Sequence, residues 1–349
     1  MAKQFARCQP GLPVRLLFSI AARFKHHCRE VKYMFMDKAK LTAGFLFWSF
    51  SCSLAPAQES PASPAPVGNG GMQIQFGALT MSRNSSDSGV IFGYGGNALR
   101  SDDFNDRWAP GFEGTIVLDG GPYDLELHGF WFGSDTAQSL GGPASNAVLN
   151  TFLPLTLPGV TNLDAELRYE VRSLEANVRA DAGIGIEMFT GPRFFQIEEN
   201  FVAALDAGAS RYIVNSKSEV NLFGAQIGAK VDWAELLGAP AALVLETELA
   251  GGLFRSMSDS QVPFSSGVVA LQASGKDSGL AVMVAAGLDV GVRVAPGLDI
   301  VAGYDLLWLR GVTTALEQLQ GANYLSGTIN AGSSDMLYHG ASLKAVLKF

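Results

Sequence analysis

The chain has 349 residues, of which 33 are acidic and 25 basic, and its formal net charge is −8. Only 17% of the residues are charged and 40 are glycine. Beyond residue 57 no run approaches the ~18 consecutive apolar residues of a transmembrane helix. All three cysteines, Cys8, Cys28 and Cys52, come before that point. This excludes a disulfide framework and a cysteine-ligated metal site from the rest of the chain.

The N-terminal region predicts export. Residues 34–57 combine a short charged stretch, an apolar core from Leu41 to Leu54, and the small-residue sequence Ala55-Pro56-Ala57. This is the form of a cleaved signal peptide, and cleavage is expected before Gln58. Residues 1–33 are basic and would make the leader far longer than is usual. We therefore interpret residues 1–33 as a dispensable extension or a misassigned start.

The chain that remains after cleavage is strongly acidic. Loss of residues 1–57 removes nine basic and two acidic residues, so 16 basic and 31 acidic residues remain, with a net charge of −15. An acidic protein of this kind is a poor partner for nucleic acid. Residues 58–71 are rich in proline, alanine and glycine and predict a flexible linker. Residues 72–349 are expected to form a single β-barrel.

Ten segments after the linker are predicted to be strands, and apolar and polar residues alternate in all of them except 184–197, whose faces are mixed and stay unassigned. In chain order these segments are 72–81, 112–118, 123–132, 173–181, 184–197, 223–233, 243–249, 280–294, 298–308 and 337–349. A period of two predicts β-strands with two different faces. One face is apolar and the other carries charge at mid-strand, a pattern that fits lipid outside and a polar lumen inside.

The fold class predicted is all-β, a transmembrane antiparallel up-and-down β-barrel of about 10 strands. Twelve strands are the alternative if residues 201–214 form a hairpin of their own. Long polar segments alternate with short turns such as Asp119-Gly120-Gly121, which predicts long extracellular loops and short periplasmic turns. The segments expected to form long loops are 82–110, 134–166, 198–216, 257–277 and 311–335. An even number of strands places both ends in the periplasm.

The last thirteen residues have the form of a strand that closes such a barrel. Phe349, Leu347, Ala345 and Leu343 share an apolar face, and two lysines lie on the other. The segment resembles the closing strand of bacterial outer-membrane barrels, which implies that these four residues are the assembly signal read by the barrel assembly machinery. The alternative is an edge strand of a β-sandwich. Outer-membrane lipid is the other expected partner, and a homo-oligomer is left open.

Three further motifs carry a resemblance to a family. They are Gly191-Pro192-Arg193-Phe194-Phe195, the strand from Phe223 to Ala229, and Gly303-Tyr304-Asp305-Leu306-Leu307-Trp308. Through them, residues 168–232 and 279–320 resemble a family of outer-membrane β-barrel porins, its type-seven group. The resemblance implies an outer-membrane barrel. The chain departs from the family pattern at 313–318, where Thr-Thr-Ala-Leu-Glu-Gln replaces a proline turn.

The polar strand faces predict which side chains line the lumen. The candidates are the charged residues on those faces, together with one histidine, and acids outnumber bases. They are Glu113, Asp124, Glu126, His128, Glu175, Arg179, Asp181, Lys230, Asp232, Glu246, Glu248, Asp289, Arg293, Asp299, Asp305, Lys344 and Lys348. His339 falls on the apolar parity near a strand end and is expected at the membrane interface.

The sequence favours a small passive, porin-like channel for ions or small solutes in the bacterial outer membrane, cation-preferring if open. The inward glycines Gly224, Gly228, Gly287, Gly291 and Gly303 are expected to leave space for it. The alternative is a closed structural or interaction barrel whose extracellular loops bind a partner, because barrels near eight strands are filled by side chains. An enzyme at the rim, with His128 in an acid–base pair, ranks lowest. No catalytic, metal or cofactor site is predicted.

Overall fold

The computed structural model describes residues 71–86, 89–105, 107–151, 154–240, 242–330 and 332–349. The predicted extension, signal peptide and cleavage site, and residues 58–70 of the predicted linker, lie outside this part of the chain.

Within these ranges no helix has the length and apolar character needed to span a membrane.

Fourteen strands and three short helices make up the described part of the chain. The strands are β1 (Met72–Ser85), β2 (Val90–Tyr94), β3 (Asn97–Arg100), β4 (Trp108–Asp119), β5 (Asp124–Leu149), β6 (Leu155–Asp181), β7 (Ile186–Ala207), β8 (Ser210–Asp232), β9 (Leu243–Ser265), β10 (Ala270–Ala295), β11 (Leu298–Val312), β12 (Ala322–Asn323), β13 (Thr328–Ile329) and β14 (Ser334–Lys348). The helices are a 3₁₀ turn (Ser101–Phe104), α1 (Trp233–Leu236) and α2 (Ala315–Gly321).

Ten of the strands, all except β2, β3, β12 and β13, form a closed antiparallel barrel. Each barrel strand pairs with the next along the chain, and β1 closes the barrel by pairing with β14 from Gln73↔Lys348 to Ser85↔Met336. The predicted ten-stranded barrel is confirmed. The twelve-stranded alternative is wrong, because β7 and β8 run without interruption through the region that would have formed an extra hairpin and pair with each other there.

The pairing register fixes how steeply the strands tilt. Partners followed once around the barrel from Leu298 on β11 lead back to Arg310 on the same strand, twelve residues further along. Ten strands with this stagger tilt about 40° from the barrel axis. The short turns, the start of β1 and the end of β14 lie at the same end of the barrel, and we name this the short-turn end. The opposite end, where the longest strands rise, is the tall end.

The predicted loop boundaries are wrong in three places. Residues 134–166, 198–216 and 257–277 are mostly strand, because β5 to β10 extend far beyond their predicted ends. The tall-end connections between these strands are short, for example the two residues between β7 and β8. The strands themselves supply the length. The connections 86–107 and 313–333 are the long ones, and they carry the small elements.

Two prolines lie within the long strands β5 and β6. The ladder between β5 and β6 shifts register between Gly141 and Ser145 and again between Ser145 and Ala147. Pro143 lies between Gly141 and Ser145, at the first shift. Pro158 lies at the second shift, between Leu157 and Val160 of β6, which pair with Ala147 and Ser145 of β5. A proline donates no hydrogen bond, so a bulge is a position where a strand tolerates it. The strands therefore continue past both residues.

The polarity of the two strand faces inverts partway along the barrel. On β6, Leu174 and Val178 point outward and are 55% and 48% exposed, while Glu175 is buried inside. Closer to the tall end, Val171 is buried inside and Arg172 points outward into solvent. The short-turn half thus has the surface of a barrel embedded in lipid, and the tall half has the surface of a barrel surrounded by water.

Helix α2 lies inside the tall half as part of a plug. Its sequence Thr314-Ala-Leu-Glu317 forms a capping box, in which the Thr314 hydroxyl accepts from the Glu317 backbone N–H at 3.2 Å and the Glu317 carboxylate accepts from the Thr314 N–H at 3.1 Å. Leu316 and Leu319 are buried in an apolar core with Phe201 and Val262 of the wall. The same core includes β2 and β3, so the two long connections together fill the tall end.

Candidate functional site

The lumen is the place where the sequence-predicted polar residues meet. From the short-turn end to the tall end it contains a polar cavity, a layer of aromatic rings, a layer with a buried ion pair, and the apolar core around α2. The cavity offers about 140 Å³ to water. It extends from Gln73 near the short-turn end to Phe132 and Met81 at its roof.

The structure places eleven of the seventeen candidate residues on the wall of this cavity. They are Glu113, Glu126, His128, Glu175, Arg179, Lys230, Glu246, Glu248, Asp289, Asp305 and Lys344. Seven of these are carboxylates and three are permanent cations. Arg193, which the strand pattern did not assign, is a further cation on the same wall. Acids therefore remain in excess in the cavity.

Arg193 is the centre of one half of the cavity. It makes an ion pair with Glu175 at 2.8 Å, donates from Nε to the Ser173 hydroxyl at 3.0 Å and from Nη1 to Gln226 Oε1 at 3.0 Å. Its guanidinium also lies over the Phe195 ring, 4.5 Å from the ring centroid. These contacts fix a buried cation to the inner wall, as a planar guanidinium with several donors allows. The signal was present in the sequence, because Arg193 has the same parity as Phe195.

His128 joins this cluster to the opposite wall. Its Nδ1 lies 3.3 Å from Glu175 and its Nε2 lies 3.9 Å from Glu113. Lys344 lies 3.9 Å from Glu113 and 2.9 Å from Asp289. The two carboxylates that flank His128 thus come from the neighbouring strands β4 and β6. A histidine held between two carboxylates serves to join charged groups across the lumen.

The remaining cations of the cavity are paired as well. Arg179 lies 2.9 Å from Glu126 and also contacts Glu187, and Lys230 lies 2.5 Å from Glu246. Glu248 lines the cavity without an ion pair within 4 Å to the described residues. Each cation of the cavity is thus paired with a carboxylate, which is how buried ionic groups are tolerated.

Six candidate residues lie outside the cavity, near the short-turn end, because each is close to the end of its strand. Asp299 accepts from Arg293 and Lys348, both at 2.9 Å. Asp181 accepts from the Gly183 N–H at 2.6 Å, and Asp232 caps α1 by accepting from the Glu235 N–H at 3.0 Å. Asp124 begins β5 at the turn from β4. These residues stabilise turns and the rim.

A layer of aromatic rings covers the tall side of the cavity. Phe132 contacts Tyr338 with ring centroids 5.3 Å apart, Phe195 contacts Phe254 at 5.5 Å, and Phe130 links the two pairs. The five rings come from β5, β7, β9 and β14, so they reach the lumen axis from several sides. Phe132, Phe195 and Tyr338 are fully buried. The layer separates the polar cavity from the tall half.

The inward glycines make room for these rings. A Cβ on Gly224 would lie 2.8 Å from Cδ1 of Phe254, and a Cβ on Gly228 would meet the Phe189 ring. Such distances are below normal carbon contacts, so each ring occupies the volume that the glycine leaves free. The expectation that Gly224 and Gly228 leave space for solute is wrong, because neighbouring side chains fill that space.

An ion pair crosses the lumen above the aromatic layer. Arg83 on β1 lies 2.8 Å from Glu199 on β7, and the two side chains are 1% and 2% exposed. The second carboxylate oxygen of Glu199 accepts from the Ala315 N–H at the start of α2, at 2.8 Å. Ser216 on β8 donates to the Ala315 carbonyl at 2.6 Å. Opposite walls and the plug are thereby joined at one height.

The outer surface carries the interfacial group that the sequence predicted around His339. The His339 ring lies 2.9 Å from the Tyr304 hydroxyl and 3.3 Å from the Asn84 amide, and it packs edge-on against Trp108. Trp108 is 54% exposed. Leu343 and Phe349, which are predicted to belong to the assembly signal, are 59% and 71% exposed, and Leu343 lies on the same outer surface. Aromatic rings at this position are typical of the border between lipid and water.

No set of three or more His, Cys, Asp or Glu side chains in the described ranges is arranged to hold a metal ion.

Comparisons with known proteins give only weak likenesses. No family model and no curated protein sequence matches the chain, so the resemblance to the type-seven porin group stays a prediction. Among solved structures, the outer membrane protease OmpT from Escherichia coli is 11% identical with a TM-score of 0.47, over 80% of this chain and 96% of that one. The translocator domain of autotransporter NalP from Neisseria meningitidis is 12% identical with a TM-score of 0.36, over 80% and 88%.

The toluene transporter TodX from Pseudomonas putida is 8% identical with a TM-score of 0.30, over 80% of this chain and 89% of that one. Likenesses this weak carry no argument about chemistry or cargo, so the conclusions below are drawn from the chain's own side chains.

Proposed function

We propose that this protein is a bacterial outer-membrane β-barrel, exported by a cleaved signal peptide, whose lumen is closed and which acts as a structural or interaction protein. The observation that carries the proposal is the Arg83–Glu199 pair, because it spans the lumen from β1 to β7 in full burial. The aromatic layer lies on one side of the pair and the apolar core around α2 on the other. These three successive layers, formed by described residues, support a lumen without a continuous polar path.

The membrane location is supported by the outer surface of the short-turn half. Apolar side chains that point outward there are highly exposed, among them Phe112 at 60%, Phe223 at 60% and Ile227 at 62%. Monomeric soluble proteins seldom expose apolar surface on this scale. A barrel satisfies all backbone hydrogen bonds between strands, which is the condition for crossing lipid with strands.

The passive channel favoured by the sequence has less support. Its predicted cation preference would rest on the excess of acids in the cavity, yet the cavity ends at the Phe132 layer. In ten strands, side chains suffice to fill the interior. A rim enzyme is not proposed, because His128 is engaged with Glu113 and Glu175 inside the lumen.

Planar-bilayer recording tests the closed lumen. The protein residues from Gln58 onward are refolded into lipid, folding is verified by heat-modifiable migration, and current is measured at both polarities. We expect no unitary conductance from the folded protein, while a known porin reconstituted in the same way gives discrete steps. Steps from the folded wild-type protein would contradict the proposal and restore the channel. Reversal potentials in a salt gradient would then measure its selectivity.

A further inference from the structure

One ring of inward polar side chains lies between the aromatic layer and the plug. Tyr169, Glu199 and Ser218 occupy a single cross-strand row on β6, β7 and β8. Arg83 meets this row from β1, where it is paired in register with Tyr338 of β14. We name this set, with Gln318 of α2 that donates to Ser218 at 2.6 Å, the central polar layer.

Several polar atoms of the central polar layer have no hydrogen-bond partner in the protein. They are Nε and Nη1 of Arg83, the hydroxyl oxygens of Tyr169 and Tyr338, Oε1 of Gln318 and, beside its ion-pair contact with Arg83, Oε1 of Glu199. The five residues are between 0% and 2% exposed. The guanidinium lies beside the Tyr338 hydroxyl, but the two form no hydrogen bond of normal geometry. Each buried group left unpaired would shift the folding equilibrium unfavourably by roughly five- to hundredfold.

We propose that the central polar layer binds buried water molecules that bridge Arg83 to the two tyrosine hydroxyls and to Gln318. Water fits because the unpaired atoms include both donors and an acceptor, and a buried water needs two to four polar partners. An anion fits worse. Arg83 is already neutralised by Glu199 at 2.8 Å, so an anion would add an uncompensated charge in a medium of low dielectric constant.

The water would form part of the contact between the plug and the wall. On one wall, Glu199 accepts a hydrogen bond from Ala315, the first residue of α2, and Ser218 accepts one from Gln318. The water would connect these groups to Tyr338 on the opposite wall, next to Arg83 in the strand register. The inference rests on the closed lumen of the proposed function, because an open pore would expose the same groups to bulk solvent. Conductance measurements test whether the lumen is closed. The bound water is tested separately, by whether the loss of a tyrosine hydroxyl raises or lowers the folding equilibrium constant.

The substitutions Tyr338→Phe and Tyr169→Phe, each made in the full protein, provide the test. If water bridges each hydroxyl, its removal breaks hydrogen bonds, and the folding equilibrium constant in urea titrations should fall about fivefold. If the layer is dry, removal of an unpaired hydroxyl relieves a desolvation penalty and the constant should rise. Tyr94→Phe is the matched control, because the Tyr94 hydroxyl donates to the Pro143 carbonyl at 3.4 Å in an equally buried setting.

A fall for both variants, similar to that of the control, supports the bound water. A rise for either variant overturns it. An anion is tested in the same titrations by replacing sodium chloride with sodium fluoride and by collecting anomalous diffraction from crystals soaked in bromide. Stability that depends on chloride, or bromide density beside Arg83, also overturns the proposal. Electron density for water within hydrogen-bond distance of Arg83 Nε or Nη1, without an anomalous signal, supports it.

Discussion

Separation of the Arg83–Glu199 pair should strongly destabilise the barrel. Removal of one partner of a buried ion pair leaves an uncompensated charge and costs about 3–5 kcal/mol. Arg83→Met leaves Glu199 in that state. Glu199→Leu leaves Arg83 unpaired and also removes the acceptor of the Ala315 N–H at 2.8 Å, which costs roughly 1–3 kcal/mol more. We therefore expect Glu199→Leu to be the more damaging of the two substitutions.

The double variant Arg83→Met/Glu199→Leu should be more stable than either single one, because it contains no unpaired charge. The free energy of unfolding is measured by urea titration in liposomes with tryptophan fluorescence. The coupling energy from the double-mutant cycle should be at least about 3 kcal/mol in magnitude.

The pair Arg168–Asp135 provides the control for this cycle. Its ion-pair distance is 2.7 Å, but the two side chains are 64% and 54% exposed on the outer face of the tall half. Screening by solvent should limit its coupling to about 1 kcal/mol or less. Additive effects of the two substitutions at Arg83 and Glu199, or a coupling no larger than that of the exposed pair, would refute the idea that the cross-lumen pair is desolvated and structurally required.

Two further predictions test the facing and the orientation of the barrel. Val284 points outward and is 41% exposed, whereas its neighbour Ala285 lines the cavity. Val284→Arg should therefore lower the free energy of unfolding in liposomes by roughly 2–4 kcal/mol, and Ala285→Arg should lower it distinctly less. Equal losses for the two variants would contradict the assignment of outward and inward faces. Val268 at the tall end is 94% exposed, and Ile184 at the short-turn end is 73% exposed. In intact cells, a maleimide that cannot cross the membrane should label Val268→Cys and leave Ile184→Cys unlabelled. The reverse labelling pattern would show the opposite orientation of the barrel.

The short-turn half of the fold could be predicted from the sequence because one physical cause, the surrounding lipid, makes the same face of every strand apolar. Lipid requires an apolar exterior, so Leu174 and Val178 mark one face and Glu175 the other, and the parity alone decides the orientation. The same reasoning failed in the tall half. There the alternation continues with its faces exchanged, and outward charges such as Arg168 and Arg172 made strands look like polar loops.

The lumen was harder to predict than the outer surface. Parity identified which side chains point inward, and eleven of them do line one cavity. Parity does not tell whether inward side chains from different strands meet at the axis. The pairing of Arg83 with Glu199 joins residues 116 positions apart on opposite walls. No local pattern contains that contact, because it depends on the register and tilt of the whole barrel.

The inward glycines also show that strand parity does not predict how side chains from different strands pack in the lumen. An inward glycine was expected to widen the lumen, since it has no side chain. In the structure the glycine of one strand faces an aromatic ring from another, as Gly224 faces Phe254 and Gly228 faces Phe189. Close packing requires that a large residue meet a small one, so a glycine next to phenylalanines favours a filled interior.

The inversion of strand polarity also bears on where the protein acts. On β6 the outward residues are apolar from Leu174 to the short-turn end, and those from Arg172 to Asp164 are charged. A rise of about 3.3 Å per residue at a tilt of about 40° places roughly 45 Å of β6 above the apolar band, which itself needs only about 25 Å to cross the outer membrane. A passive pore needs strands only as long as the lipid is thick. The additional wall, with α2 fixed inside it, therefore favours a role at the face that the tall end presents to the surroundings.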